Sequence, residues 1–275
     1  MSLEIAAQDL SEQCFQVLRD LFEHESGIRL PSDKKPLVVS RLQHRLIQRR
    51  AKSFEDYCAL LKSPAEAAER QCFVDALTTH ETFFFRDPRQ FQHLASQALP
   101  TLPQRPVRIW SAAASTGEEA YSLAMTLAET FGLAGWELLG SDISERVIEH
   151  AARGLYPQYR LDNMPSEYMK KYCRRGLGEY AGHLLVNADL RNRTRFFRHN
   201  LLDATANLGT FDVIFLRNVL IYFDPPRRLQ ILRNVTARLR PGGYLYIGNT
   251  ESLSESLADM ELIGNSAYLR KQAGA

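Results

Sequence analysis

Residues 107–130 read V-R-I-W-S-A-A-A-S-T-G-E-E-A-Y-S-L-A-M-T-L-A-E-T. Val107 to Trp110 form a short apolar strand, Ser111 to Gly117 a run of small residues, and an amphipathic helix starts near Glu118. A strand that passes through a small-residue loop into a helix is a usual cradle for a nucleotide-like cofactor. Small side chains let the ligand approach the backbone, and the helix N-terminus offers free N–H groups. A dinucleotide does not suit this loop. The G-x-G-x-x-G pattern is absent, the one glycine is Gly117, and Glu118 and Glu119 stand where a pyrophosphate needs positive potential. An acidic first turn suits a cationic ligand, and S-adenosylmethionine (SAM) carries a sulfonium and an ammonium but no phosphate. The same glutamates would also complement a helix dipole. For Glu118 both roles stay open.

Working outward, Trp136 to Gly140 is a second strand, ending in Ser141-Asp142-Ile143-Ser144. Asp142 lies 25 residues past Gly117, where an acid accepts hydrogen bonds from ribose hydroxyls. The following helix, residues 145–155, has Ser144 as its own cap and does not need Asp142. Residues 211–216, F-D-V-I-F-L, are a continuous apolar strand of the kind buried in a parallel sheet. Arg217 to Asp224, R-N-V-L-I-Y-F-D, follow at its C-terminal end, the edge where open α/β sheets bind ligands. Strands near 194–197, 244–248 and 266–270 complete a doubly wound, Rossmann-like α/β sheet. Between about 156 and 195 the βαβ rhythm breaks into a basic, glycine-turned segment, read as a small β-hairpin insertion. Asp224-Pro225-Pro226 is similar to the start of the D-P-P-Y motif of DNA amino-methyltransferases, but Arg227 stands where a base-stacking aromatic is needed. Asp224 reads instead as a helix cap followed by proline.

Residues 1–85 read as a small all-helical domain, with stripes at Phe15, Leu18, Leu21 and Phe22, and at Val38, Leu42 and Leu46. Residues 86–106 form a linker helix and a proline-rich linker, and residues 107–275 the cofactor domain. Three consecutive phenylalanines, Phe83 to Phe85, are packing residues; Arg86 beside them needs an anion or acceptors. Arg41, Arg45 and Arg49 recur on one helix face with no interleaved acid, which points to an acidic partner.

The chain has 275 residues and a formal net charge of +2, with 45% hydrophobic residues. That balance does not point to nucleic acid. The cations are clumped, however: residues 28–52 hold eight Lys or Arg and one acid, residues 170–198 eight and two. No apolar run is long enough to span a membrane, and M-S-L-E-I-A-A-Q-D-L lacks a signal-peptide core. Cys14, Cys58, Cys72 and Cys173 are widely spaced, without metal-ligand spacing, and read as reduced thiols of a cytoplasmic protein with no metal site.

Five blocks, T-T-H-E-T-F-F-F-R, W-S-A-A-A-S-T-G-E-E-A-Y-S, G-S-D-I, R-N-V-L-I-Y-F-D and L-R-P-G-G-Y-L, in this order, resemble the CheR chemoreceptor methyltransferases over nearly the whole chain. The resemblance implies SAM-dependent methylation of glutamate side chains on chemoreceptor cytoplasmic helices, in chemotaxis signalling, with S-adenosylhomocysteine as product. By motif position it puts SAM-binding roles on His80, Thr82, Arg86, Glu119, Asp142, Asn200, Leu201, Arg217 and Asn218, with Tyr222 lining the site. That is the reason to rank Glu119 as a ligand contact. The family often has Asn at the position of His80; imidazole still forms one hydrogen bond. The arginine stripe Arg41, Arg45 and Arg49 would then meet the Glu-rich receptor helices, and the insertion would hold a receptor C-terminal tether by strand addition. No direct membrane binding is implied. A glutamate nucleophile, with a pKa of about 4.3, is already ionised at neutral pH, so no general base is expected; Arg86 and Tyr222 are the candidate catalytic residues, as orienting groups. Two alternatives remain: a silent SAM-binding adaptor that docks on receptors, or a SAM methyltransferase of RNA or a small molecule.

Overall fold

The chain divides at Thr79/His80 into a helical unit, which also takes in Tyr222–Asp224, and a larger sheet-based unit made of the remainder. The structure is a computed structural model and describes residues 10–103, 106–253 and 257–272. The N-terminal decamer read for a signal peptide lies, but for Leu10, outside the described residues.

Among its described residues the helical unit has four helices, α1 (Glu12–Ser26), α2 (Lys35–Arg49), α3 (Phe54–Leu61) and α4 (Ala67–Leu77). Their ends follow local chemistry. The Ser11 side chain accepts the Cys14 N–H, the Ser53 side chain accepts the Asp56 N–H, and Gly27 closes α1 in the left-handed conformation. The apolar stripes meet in a core of Phe15, Leu18, Phe22, Val38, Leu42, Leu46, Tyr57 and Phe73, where Phe22 and Phe73 pack edge to face at 6.1 Å. One expectation is corrected: Cys14 and Cys58 are joined as a disulfide that links α1 to α3, while Cys72 and Cys173 remain thiols. Spacing could not show this, because the two cysteines are 44 residues apart and meet only once the helices pack.

In the larger unit α5 (Pro88–His93) leads through a π-turn to β1 (Val107–Ser111), followed by α6 (Glu118–Phe131), β2 (Trp136–Asp142) and α7 (Glu145–Arg153). The insertion contains β3 (Leu155–Pro157), α8 (Ser166–Tyr172), β4 (Cys173–Arg175), β5 (His183–Val186) and α9 (Ala188–Arg191). The chain then returns through β6 (Thr194–Arg198), β7 (Phe211–Leu216), α10 (Pro225–Thr236), β8 (Leu239–Ile247), β9 (Met260–Gly264) and β10 (Ala267–Arg270). The main sheet has the order β6-β2-β1-β7-β8-β10-β9. β6, β2, β1, β7 and β8 run parallel, while β10 pairs antiparallel with both β8 and β9. The insertion is a three-stranded antiparallel sheet, β3-β5-β4, so the predicted hairpin gains a third strand from the residues just after α7.

From β1 the chain winds outward through β2 to β6, then crosses back to β7 and on to β8. The junction of β1 and β7 is therefore the topological switch point, and its C-terminal edge is where such sheets open a crevice. The core behind it is aromatic. Trp110 stacks on Phe211 at 5.4 Å and donates to Ser141 Oγ, and Phe215 stacks on Tyr246 at 4.4 Å. Phe84 is fully buried against Tyr156, and Phe85 packs on Phe91 and Tyr168, as expected for packing residues.

Candidate active site

The loop after β1 is shaped by two residues with left-handed backbone, Ser115 (φ 49°) and Gly117 (φ 97°). Gly117 begins α6, and a Cβ there would meet Ala151 Cβ and Tyr156 Oη, both at 2.8 Å. Only glycine satisfies both the backbone angle and this close approach. Two carboxylates follow. Glu118 is 1% exposed and accepts from Thr116 Oγ1 at 2.6 Å and Arg160 Nη1 at 3.4 Å. Glu119 is 12% exposed and accepts from Ser111 Oγ at 2.7 Å and Arg217 Nη1 at 3.1 Å. Burial pushes both carboxyls above the usual range; Arg217 and Ser111 pull Glu119 back towards ionisation.

Arg217, 1% exposed, stands at the C-terminal end of β7 and bridges the switch point. It donates to Glu119, to the Asp87 carboxylate at 2.6 Å and to the Arg86 carbonyl at 2.7 Å. Two carboxylates, Glu119 and the partly exposed Asp87, thus share one buried guanidinium. Asp87 also accepts from Asn249 Nδ2 at 2.8 Å. Arg86 itself lies over the Phe83 ring at 5.5 Å and donates to the Glu81 carbonyl at 3.2 Å. Thr82 accepts Arg160 through its carbonyl at 3.3 Å.

At the end of β2, Asp142 accepts the N–H of Ser115 at 2.9 Å and of Ser144 at 3.1 Å, so it shapes the β1 loop. Ser144 caps α7 through the Val147 N–H. Past β6, Asn200 Oδ1 accepts the Leu202 N–H, and Leu201 is buried with its carbonyl taken by Asn234. Past β7, Asn218 has a left-handed backbone (φ 56°) and donates its N–H to Glu251.

The structure thus gathers Glu119, Arg217, Asp142, Asn200, Leu201 and Asn218 at the C-terminal ends of β1, β2, β6 and β7. Arg86 joins them through its carbonyl and Thr82 through Arg160. His80 lines a neighbouring cleft, and Tyr222 belongs to the helical unit. Three organising residues escaped sequence reading. Asp87 holds Arg217 from 130 positions away. Arg160 links Glu118 to Thr82. Glu251 accepts the N–H groups of Gly248, Asn218 and Leu220, tying the loop after β7 to the end of β8. Each acts through a partner distant in sequence, so no local pattern marked it.

The α2 arginines have partners inside the helical unit. Arg41 donates to the carbonyls of Leu77 and Thr78, Arg45 pairs with Glu69, and Arg49 pairs with Glu66 and lies 3.6 Å from Glu69. The missing acids come from α4 and the segment before it, so the stripe has matching partners within the fold. Glu69 also accepts from Tyr57 Oη at 2.7 Å.

The donor set fits SAM. Ser115 Oγ after β1, His199 Nε2 after β6 and Arg217 Nε after β7 are buried polar atoms with no protein partner among the described residues. They lie at the same edge as two carboxylates, which suits a ligand bearing both hydrogen-bonding groups and positive charge.

The comparisons agree. A family model described as CheR methyltransferase, SAM binding domain, matches residues 80–269, and one described as CheR methyltransferase, all-alpha domain, matches residues 13–78. Chemotaxis protein methyltransferase 2 of Pseudomonas aeruginosa is 41% identical over 92% of this chain and 91% of its own length. The chemotaxis protein methyltransferases of Salmonella typhimurium and Escherichia coli are each 38% identical over 94% of this chain and about nine-tenths of their own. With the all-helical unit, the parallel sheet and the acidic switch point in place, the chain belongs to the CheR family of SAM-dependent methyltransferases.

Proposed function

We propose that this chain esterifies glutamate side-chain carboxylates on the cytoplasmic helices of bacterial chemoreceptors, with the methyl group of SAM. The observation that carries the reading is the Glu119–Arg217–Asp87 trio at the switch point, where two carboxylates share one guanidinium, an arrangement suited to a cationic cofactor. SAM supplies a methyl group on a positively charged sulfur, an activated leaving group that needs no acid. Glu119, Asp142 and Asn218 would hold it, with Asn200, Leu201, Thr82 and His80. Arg217 would act through Glu119, fixing the carboxylate's orientation.

The acceptor glutamate is ionised at neutral pH, so the protein moves no proton. Its work is to align the carboxylate and strip its water. Arg86 and Tyr222 are the orienting groups in this reading. A positioning role suits Arg86 better than charge neutralisation, because a tight guanidinium clamp would hold back the nucleophile. Binding of a receptor C-terminal tether is a finer element of the same proposal; β4 stands at the edge of the insertion sheet, where an extended peptide can add a strand. Cytoplasmic placement follows from the substrate, and no described helix is long and apolar enough to cross a membrane.

The test uses methyl-labelled SAM, the purified chain and a chemoreceptor cytoplasmic fragment, with label released as methanol by mild base. Base-labile label that disappears with Glu→Gln changes in the receptor supports the proposal. SAM binding without transfer to any of a panel of receptors sinks it in favour of a silent adaptor.

A further inference from the structure

Asp87 stands immediately before Pro88, at the N-terminal end of α5. An aspartate in that place ordinarily turns its carboxylate onto the first free N–H groups of the helix. The Asp87 side chain accepts none of them. Its backbone is left-handed (φ 58°, ψ 69°), which is uncommon for a residue other than glycine. The carboxylate is held instead between two side chains from other parts of the sheet unit. Arg217 Nη2, after β7, donates to Oδ2 at 2.6 Å, and Asn249 Nδ2, after β8, donates to Oδ1 at 2.8 Å. A forgone cap and an unfavourable backbone both cost stability, and such costs collect at functional sites.

The effect of this arrangement lies in how Arg217 meets Glu119. A guanidinium carries five N–H donors in a rigid fork and often grips a carboxylate with two of them at once. Arg217 gives Glu119 only one, from Nη1 to Oε2 at 3.1 Å. Its Nη2 is taken by Asp87 Oδ2 and the Arg86 carbonyl, and its Nε is buried with no protein partner among the described residues. The other oxygen of Glu119, Oε1, accepts from Ser111 Oγ at 2.7 Å. Asp87 therefore competes with Glu119 for one cation, and the shorter contact falls to Asp87. A carboxylate forked by its own guanidinium attracts a second cation weakly. One that shares the guanidinium through a single hydrogen bond keeps more of its attraction.

We propose that Asp87 is a positioning residue for the cofactor: by drawing the Arg217 guanidinium towards itself, it keeps Glu119 open to the positive charge of SAM. This rests on the reading of Glu119 as the carboxylate that meets the cofactor. Asp87 touches neither SAM nor the acceptor in this scheme, and its influence reaches the cofactor only through Arg217 and Glu119.

The test is a double-mutant cycle on SAM affinity, read by calorimetry on the full chain: wild type, Asp87→Asn, Glu119→Gln and the two combined. Asp87→Asn removes the charge and keeps the shape, and asparagine tolerates the left-handed backbone. It is expected to weaken SAM binding about tenfold in the wild-type background, and by less than about twofold once Glu119 is already Gln. Asp87→Glu, which keeps the charge, should retain most of the affinity. Methylthioadenosine, which has the nucleoside but neither the sulfonium nor the ammonium, should bind wild type and Asp87→Asn alike in competition with SAM. Thermal unfolding checks the fold of each variant. Unchanged SAM affinity in Asp87→Asn overturns the inference. So does an equal loss in both backgrounds, which would make Asp87 act independently of Glu119. A matching loss of methylthioadenosine binding overturns it in favour of a structural role, and a loss in Asp87→Glu as deep as in Asp87→Asn does the same. The two readings fail separately. Weakened binding in Glu119→Gln with none in Asp87→Asn removes only the role of Asp87. Full affinity in Glu119→Gln removes the Glu119 anchor, and this inference with it.

Discussion

Glu119 is held by opposing forces: burial favours its neutral form, while Arg217 and Ser111 favour the anion, and burial wins. A carboxyl whose pKa is raised on folding contributes stability at low pH, and that contribution is lost as pH rises through its folded value. Glu118 adds to the same trend. A cationic ligand beside Glu119 reverses the cost. The unliganded protein should therefore lose stability as pH climbs above the ordinary carboxylate range, and the rise in melting temperature produced by SAM should grow over the same interval. A SAM effect that shrinks with rising pH would contradict this. At the chemical centre, Arg86→Ala and Tyr222→Phe should lower turnover by about a hundredfold, well beyond any loss of SAM affinity, because alignment is what they supply. Steady-state rates beside calorimetric affinities check it; near-normal turnover in both variants would refute the orienting role.

Among the elements, the loop after β7 depends on one side chain. The Glu251 carboxylate accepts three backbone N–H groups, those of Gly248 at 2.7 Å, Asn218 at 2.9 Å and Leu220 at 2.8 Å. Glu251→Gln exchanges one acceptor oxygen for a donor facing those groups. It should cost about 1–3 kcal/mol of stability and weaken SAM binding through the displaced Asn218, read by denaturant unfolding and calorimetry; an unchanged SAM affinity would separate the loop from the cofactor site. The strand–loop–helix unit at 107–130 was legible because small residues, a lone glycine and paired acids are local signals. So was the cap at Ser144. The short strands β3 and β9 were not. They are three and five residues long and owe their existence to a partner strand, not to their own alternation.

For the whole molecule, the two-unit plan and the site edge could be read in the chain, but the pairings between distant segments could not. The α2 arginines show why. With only their own helix in view they lacked acids, and the acids came from α4 and the turn before it. Glu69 collects Arg45, Tyr57 and, more loosely, Arg49. Glu69→Ala leaves a half-buried guanidinium and a buried phenol without their acceptor, so it should destabilise the helical unit by about 3 kcal/mol. Thermal unfolding of the full chain measures it. Arg45→Ala should likewise lower stability while leaving the salt dependence of substrate binding as it was; a flattened salt dependence would return α2 to the docking surface.

The central claim is that the acidic switch point holds SAM, and calorimetric titration of SAM into wild type and Glu119→Gln at neutral pH tests it most directly. The account predicts one site in the wild type and an affinity at least about tenfold lower in the variant, about 1.4 kcal/mol, with unfolding still cooperative. Equal affinity in the two proteins would contradict it and move the cofactor away from the β1–β7 junction.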